Sequence, residues 1–171
     1  MTQDNQQPAA ADKLQESAPE NAQENAPAFG IEKVYLKDLS VEVPHSPAIF
    51  LESRAPQIDI QLNNTGTAMS DDLFDSVLSI TVTATLEEKT VFLVEVKQAG
   101  IFRMRNIPPQ ELEPLLGIAC PNILFPYARE AVSEATARAG FLPVILQPIN
   151  FEALYFSRQQ EQQPQKQETP Q

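Results

Sequence analysis

Residues that could carry out catalysis are few in this sequence. The single histidine, His45, lies in Pro44-His45-Ser46-Pro47, which is typical of a turn, and no residue near it in sequence would orient its ring as a catalytic base requires. The single cysteine, Cys120, precedes Pro121 at a predicted helix start, where a thiol pKa can be lowered. A small buried cysteine is the more common case. We therefore expect His45 to be a solvated loop residue and predict no catalytic residue.

Signatures of cofactor and metal binding are also missing from the sequence. The five glycines form neither a GxGxxG nor a GxxxxGK[ST] pattern, so no phosphate-binding loop is predicted. One cysteine can form neither a thiolate cage nor an intrachain disulfide. The acid pairs Asp71-Asp72 and Glu87-Glu88 lie in turn-like sequence and are interpreted as solvated turns. We expect no cofactor, no metal and a reducing compartment.

The charge of the chain argues against two further classes of function. Twelve Lys and Arg stand against 23 Asp and Glu in 171 residues, a formal net charge of -11. Such a balance repels nucleic-acid phosphates and anionic membranes. The first 28 residues lack the apolar run of a signal peptide, and nowhere do about 18 apolar residues follow one another. We expect a cytoplasmic protein that binds no nucleic acid and does not insert directly into a membrane.

Three segments of the chain differ in composition. Residues 1–28 contain mainly Gln, Asn, Glu, Ala and Pro, with five acids and one lysine, and residues 158–171 are polar and rich in Gln. Such segments bury too little apolar surface to offset the entropy lost on ordering, so both are predicted to be disordered tails. Residues 29–157 hold nearly all the large apolar side chains and are predicted to form one folded domain.

Four segments of this domain alternate apolar and polar residues as half-buried β-strands do. They are residues 38–43, 57–62, 73–86 and 91–98. The sequence Asn63-Asn64-Thr65-Gly66 predicts a turn after the second segment, and Glu87-Glu88-Lys89 predicts an antiparallel hairpin between the last two.

The polar faces of the first and fourth segments carry acids. Asp38, Ser40 and Glu42 project together from the first strand, and Leu93 with Glu95 projects from the fourth. One interpretation is the ordinary solvated side of an antiparallel sheet. The other is an acidic surface that docks a basic partner.

Helical patterns follow the strands. Pro108-Pro109 and the acids after it predict a helix start, and Pro114 predicts that this helix is short or broken. A longer helix is predicted over residues 121–139 with Gly140 as its C-cap, and a last helix begins at Phe151. Four strands followed by helices indicate the α+β class.

The late segments contain more large apolar side chains than short helices need to cover one sheet face. Tyr127, Phe151, Leu154 and Tyr155 are among them. A well-filled core with an oligomer interface would explain the excess, and so would a groove for apolar peptide segments.

Four strings in the chain resemble the SecB family of bacterial protein-export chaperones. They are IEKVYLKDLSVEVP at 31–44, FLVEVKQAGIF at 92–102, CPNILFPYARE at 120–130 and LQPINFEALY at 146–155. The resemblance implies an α+β fold with a four-stranded antiparallel sheet, helices packed on one face, and a homotetramer built as a dimer of dimers. It also implies an ATP-independent holdase, not an enzyme, which keeps unfolded precursor proteins translocation-competent and delivers them to the SecA motor ATPase.

The same resemblance assigns roles to individual residues. Positions that match SecA binding are Asp38, Glu42, Leu93 and Glu95. Positions that match the client-binding groove are Tyr127, Phe151, Leu154 and Tyr155. Positions that match tetramer assembly are Val94, Val96 and Gln98. The chain departs from the family pattern at Arg54-Ala55, where a Trp is usual, and at Val41, where a Phe is usual.

Two alternatives remain open at this point. A SecB-like chaperone dedicated to a single partner, such as an antitoxin, would keep the fold and change the client. A non-chaperone acidic adaptor protein would bind SecA or another basic partner and hold no unfolded client. An enzyme would have to use His45 or Cys120.

Overall fold

Four antiparallel strands form one sheet in the computed structural model, which describes residues 26–162. The strands are β1 (Ala28–Glu42), β2 (Gln57–Ala68), β3 (Leu73–Leu86) and β4 (Lys89–Arg105), in the order β1-β4-β3-β2. The chain therefore crosses from one edge of the sheet to the other between β1 and β2, through a 3-10 turn at Ala48–Leu51. Residues 1–25 and 163–171, most of the two predicted tails, lie outside the described residues.

Three helical segments follow the sheet. Helix α1 (Pro109–Pro114) continues through a π turn at Leu115–Ala119 into helix α2 (Cys120–Arg138), and helix α3 spans Phe151–Gln162. The α+β class, the four-stranded antiparallel sheet and the helices packed on it are thus confirmed. Helix α3 continues past Arg158, where the sequence had predicted the start of a disordered tail.

Helix α2 covers the middle of the sheet. A β-carbon built on Gly100 of β4 would lie 3.1 Å from Cδ2 of Leu124, which shows how closely this helix approaches the strand. The side chains under it belong to alternate positions of β3 and β4, as the strand period requires. Fully buried among them are Leu78, Ile80, Val82, Val94, Val96 and Phe102. We call this side the helix face and the opposite side the outer face.

The predicted turn at Asn63-Asn64-Thr65-Gly66 is wrong, because β2 continues through it to Ala68. The Asn64 side-chain amide donates a hydrogen bond to the Leu116 carbonyl (2.8 Å), and its carbonyl oxygen accepts one from the Ser76 hydroxyl (3.4 Å). A β-carbon on Gly66 would lie 3.0 Å from Leu116. These residues therefore serve the contact between β2 and the π turn, and the tertiary contact overrides their turn preference.

The first predicted helix is short, as expected, because α1 has six residues and ends at Pro114, but the chain does not break there. Proline lacks the N–H that an α-helix needs at that position, but the next amide, of Leu115, donates to the Glu111 and Leu112 carbonyls and the chain stays helical. The predicted end of the long helix is correct to within one residue, because its C-cap is Ala139 and Gly140 is the next residue. Gly140 has a φ of 91°, and the Phe141 amide donates to the Thr136 carbonyl at 3.2 Å, as in a Schellman motif.

The helices leave parts of the two edge strands uncovered. Leu39 and Val41 pair with Val96 and Val94 of β4, so they project from the helix face, yet Leu39 is 43% exposed. On the other edge Ile60 is 45% exposed. The expectation that these apolar faces are buried is therefore wrong for the single chain, which presents apolar side chains along both edges of its helix face.

Candidate functional site

The outer face brings together the four residues predicted to bind a partner. Glu42 lies opposite Leu93 across the β1–β4 pair, and Ser40 lies opposite Glu95. Asp38 follows on the same face, opposite Lys97. We call Asp38, Glu42, Leu93 and Glu95 the acidic patch. Its residues come together because the side-chain period of two places alternate residues of paired strands on one face.

The three carboxylates of the acidic patch differ in whether a cationic side chain lies next to them. The Lys97 ammonium lies 3.3 Å from the Asp38 carboxylate, and both side chains are about half exposed. Within residues 26–162, neither Glu42 nor Glu95 has a cationic side chain within ion-pair distance. Among the residues that the structure describes, two carboxylates of the patch thus have no ion-pair partner and one is already paired.

A second cluster lies further along the outer face. Asp75 of β3 accepts hydrogen bonds from the Tyr35 hydroxyl (3.2 Å) and the Lys37 ammonium (3.3 Å). Burial and the neighbouring Asp75 charge raise the pKa of the Tyr35 phenol. Lys37 therefore pairs with Asp75, whereas Lys97 pairs with Asp38.

A pocket of about 330 Å³ opens where the end of β2 meets the π turn and helix α3. Its apolar walls are Leu116, Gly117, Phe151, Leu154 and Tyr155, and its polar rim is Asn64, Glu113, Arg158 and Gln159. We call it the α3 pocket. An apolar wall with a few polar groups at the rim is the usual make-up of a site that binds apolar groups together with backbone.

Each wall of the α3 pocket is fixed by a specific contact. The Arg158 guanidinium donates to the Leu62 carbonyl at 2.8 Å, which ties helix α3 to β2. The Phe151 ring meets the Phe125 ring of α2 edge-on, with centroids 5.8 Å apart. The Gln159 amide donates to the Tyr155 hydroxyl at 2.7 Å, which orients that phenol. The pocket is therefore held from three elements.

Three of the four predicted groove residues line this pocket. Phe151 is only 2% exposed and forms its base, while Leu154 and Tyr155 are half-buried in its walls. Tyr127 of α2 is 53% exposed and does not line the pocket. Sequence reasoning missed Gly117 and Arg158. A glycine at residue 117 could have indicated a close contact at that point. Arg158 gave no such signal, because it begins the Gln-rich segment that was predicted to be a tail.

The residues predicted to affect tetramer assembly lie inside the protomer. Val94 and Val96 are fully buried on the helix face, and Gln98 is 4% exposed. The Gln98 side-chain amide donates to the Tyr35 carbonyl at 2.9 Å, next to a bulge in β1 between Leu36 and Asp38. Contacts of this kind shape the edge of the sheet within the single chain.

The crossover segment departs from the family pattern in a defined way. Arg54 lies 2.6 Å from Glu87 of the β3–β4 hairpin and 3.1 Å from Glu52. Two exposed ion pairs therefore fix Arg54, which stands where the resemblance led us to expect a Trp. Nearby, the Phe50 ring packs against Phe141 with centroids 5.2 Å apart, which docks the crossover on the loop after α2.

The two candidate reactive residues do not lie in a catalytic arrangement. His45 is exposed in the loop after β1. Cys120 is fully buried, and burial raises the pKa of its thiol to about 12, so it is protonated at neutral pH. Within residues 26–162, no three His, Cys, Asp or Glu side chains form a group that could hold a metal ion. None of the helices described there combines the length and apolarity needed to cross a bilayer.

Comparisons with known proteins agree with this architecture. The family described as "Preprotein translocase subunit SecB" matches residues 22–163. A Protein-export protein SecB of Dechloromonas aromatica is 64% identical over 140 residues, which cover 82% of this chain and 92% of that protein. The corresponding protein of Chromobacterium violaceum is 59% identical over 140 residues, covering 82% of this chain and 93% of its own length.

The fold is also seen in a solved structure. It is a SecB-like chaperone of Mycobacterium tuberculosis in complex with an antitoxin peptide, with a TM-score of 0.60 and 18% identity, covering 71% of this chain and 90% of its own. That likeness supports the architecture alone. The match over residues 22–163 and the identity to the curated relatives decide the assignment, and they show that the chain belongs to the SecB family.

Proposed function

We propose that this protein is an ATP-independent holdase chaperone of the cytoplasm, which binds unfolded precursor proteins, keeps them translocation-competent and delivers them to the SecA motor ATPase. The observation that carries the proposal is the α3 pocket in a chain of the SecB family. The names of its relatives, which are protein-export proteins, point to the same activity.

The pocket suits the chemistry of an unfolded client. An unfolded segment exposes apolar side chains and unpaired backbone groups, and burying the former gains roughly 25 cal/mol per Å². Phe151, Leu154 and Tyr155 would receive an apolar side chain of the client. Arg158 uses one of its guanidinium N–H groups on Leu62, so others remain for a client carbonyl. Recognition of this kind depends weakly on sequence, as a general chaperone requires.

Tyr127 has a separate place in the proposal. It is half-exposed on helix α2 and outside the α3 pocket. We assign to it a contact with the client away from the pocket.

The acidic patch is the proposed docking surface for SecA. Glu42 and Glu95 are exposed and without an ion-pair partner in the described part of the chain, so they are available to a basic partner. Leu93 adds a half-buried apolar contact between them. The patch lies on the outer face and the α3 pocket on the helix side, so client and motor would bind at the same time.

Assembly into a homotetramer, a dimer of dimers, completes the proposal. Apolar side chains such as Leu39, Val41 and Ile60 remain exposed on the helix face of a single chain. Exposed apolar surface of this extent is typical of a face that meets another subunit or a client. Val94, Val96 and Gln98 would act on assembly indirectly, by supporting the helix and the edge strand above them.

The proposal is tested by refolding a slow-folding precursor, with its signal sequence, without ATP. We expect the wild-type protein to delay refolding, Leu154→Ser to delay it less, and Met69→Ser to behave as the wild type. Met69 is a matched control because it is a large exposed apolar residue in the turn after β2 and does not line the pocket. Unchanged refolding in the presence of the wild type would contradict the holdase function.

The docking surface is tested with Asp38→Ala, Glu95→Ala. This double variant should still delay refolding but bind SecA poorly, since the two sites lie on opposite sides of the sheet. A protein that binds SecA without delaying refolding would instead be the acidic adaptor. One tight partner in a pull-down, in place of many precursors, would instead indicate the dedicated chaperone.

A further inference from the structure

We propose that Lys97 is an internal competitor for Asp38 and thereby sets how strongly the acidic patch binds the basic surface of SecA. This inference rests on the proposed docking function. Its basis is geometric: the two residues are direct cross-strand partners on β1 and β4, and their charged atoms lie 3.3 Å apart.

The competition follows from the charges of the patch. A basic side chain of the motor meets free carboxylates at Glu42 and Glu95, but it must displace the Lys97 ammonium to reach Asp38. Lys97 also places a positive charge where a positively charged partner arrives, and like charges at an interface oppose binding. Asp38 therefore contributes less to docking than its position suggests, because part of its interaction is already made within the chain.

The solvent exposure of the Asp38–Lys97 pair limits how much it can change the affinity for SecA. Both side chains of the pair are about half exposed. An exposed ion pair of this kind changes an equilibrium constant by a factor of about twofold to fivefold. A competitor of this strength weakens docking without abolishing it.

Lys37 provides a matched control on the same face. It is exposed to a similar extent as Lys97 and lies at the same distance, 3.3 Å, from a carboxylate, but that carboxylate is Asp75. Replacing either lysine by glutamine removes one positive charge from the outer face. Only Lys97→Gln releases Asp38.

The test is the Kd of the full-length protein for purified SecA of Dechloromonas aromatica, whose SecB is 64% identical to this chain. The variants are Lys97→Gln, Lys37→Gln, Asp38→Asn, and Asp38→Asn combined with Lys97→Gln, each checked for an unchanged melting temperature. We expect Lys97→Gln to bind about twofold to fivefold tighter than Lys37→Gln. Asp38→Asn should lose more affinity in the Lys97→Gln background than in the wild type. The difference between the lysine variants should shrink at about 0.5 M salt.

Two results would overturn the inference, and they are distinguishable. If the wild type delays client refolding but does not bind SecA, the docking function fails and this inference fails with it. If the wild type binds SecA, but Lys97→Gln binds no tighter than Lys37→Gln and Asp38→Asn costs the same in both backgrounds, the docking function stands and the role of Lys97 is refuted.

Discussion

A β-carbon placed on Gly117 would lie 2.5 Å from Cδ2 of Tyr155, well inside van der Waals contact. The backbone of the π turn and the ring of helix α3 can touch because residue 117 has no side chain. The shape of the α3 pocket therefore depends on the glycine at residue 117 and on the Tyr155 ring that lies against it.

The first prediction concerns this contact. Gly117→Ala should displace the Tyr155 ring and shift helix α3, because a methyl group at residue 117 has no room. Overpacking of this kind costs about 1–3 kcal/mol. Urea unfolding would measure the loss of stability, and the refolding assay would show a weaker delay of the client.

A second variant, Tyr155→Ala, separates the steric clash at residue 117 from a general loss of stability. In Tyr155→Ala the ring is gone, so adding Gly117→Ala should cost much less than it does in the wild type. If the cost of Gly117→Ala is the same in both backgrounds, the ring of Tyr155 is not what the new methyl group meets.

The second prediction concerns the buried hydroxyl of Thr136. The hydroxyl O–H donates to the Val132 carbonyl and its oxygen accepts a hydrogen bond from the Val144 amide, each at 3.0 Å, so it joins α2 to the loop that follows it. Thr136→Val should leave that amide unpaired, at a cost of about 1–3 kcal/mol. Hydrogen exchange at the Val144 amide should accelerate in Thr136→Val and stay slow in Thr136→Ser, which keeps the hydroxyl. Equal exchange in the two variants would count against the hydrogen bond.

The elements that sequence alone predicted well are those in which local pattern and tertiary packing agree. Residues 73–86, in which positions 78–85 alternate strictly, form β3 with the predicted bounds. The long helix and its C-cap were readable because Gly140 supplies the positive φ that a Schellman motif needs. The acidic patch was also readable, since a period of two places Asp38 and Glu42 on one face of any strand.

The failures lie where a distant contact decided the local structure. Asn64 and Gly66 are residues that favour turns. In the fold, Asn64 donates a hydrogen bond to the Leu116 carbonyl and Gly66 leaves space for the Leu116 side chain, about fifty residues later in the sequence. Pro114 was expected to make the helix short or broken and α1 is indeed short, but the π turn that continues from it has no local signal other than Gly117. Because the α3 pocket is built from these contacts, the sequence predicted its aromatic residues and not its outline.

The third prediction concerns the pH dependence of Cys120. Burial raises its thiol pKa from 9.0 to about 12, so the folded chain keeps the proton where the unfolded chain loses it. The contribution of this group to stability is therefore complete below about pH 9 and falls as the pH rises towards 12. The free energy of unfolding of the wild type, relative to Cys120→Ala, should decrease over that range.

Thiol labelling gives an independent measurement at Cys120. At about pH 8 a disulfide reagent should react with the thiol only in denaturant, since the fully buried thiol is neither accessible nor ionised in the folded chain. Rapid labelling of the native protein would show that the π turn and the start of α2 open far more easily than their burial indicates.

The last prediction concerns Gln98 and the proposed tetramer. Its side-chain amide donates to the Tyr35 carbonyl beside the β1 bulge, so Gln98→Leu should remove that hydrogen bond and loosen β1 at the edge of the sheet. A lost partner of this kind costs about 1–3 kcal/mol. Because Leu39 and Val41 of β1 are among the exposed apolar residues available to a second subunit, the tetramer should dissociate at a higher protein concentration than the wild type. Light scattering across a dilution series would measure this, with Gln57→Leu on exposed β2 as the control. Equal dissociation of both variants would mean that Gln98 has no influence on assembly through β1.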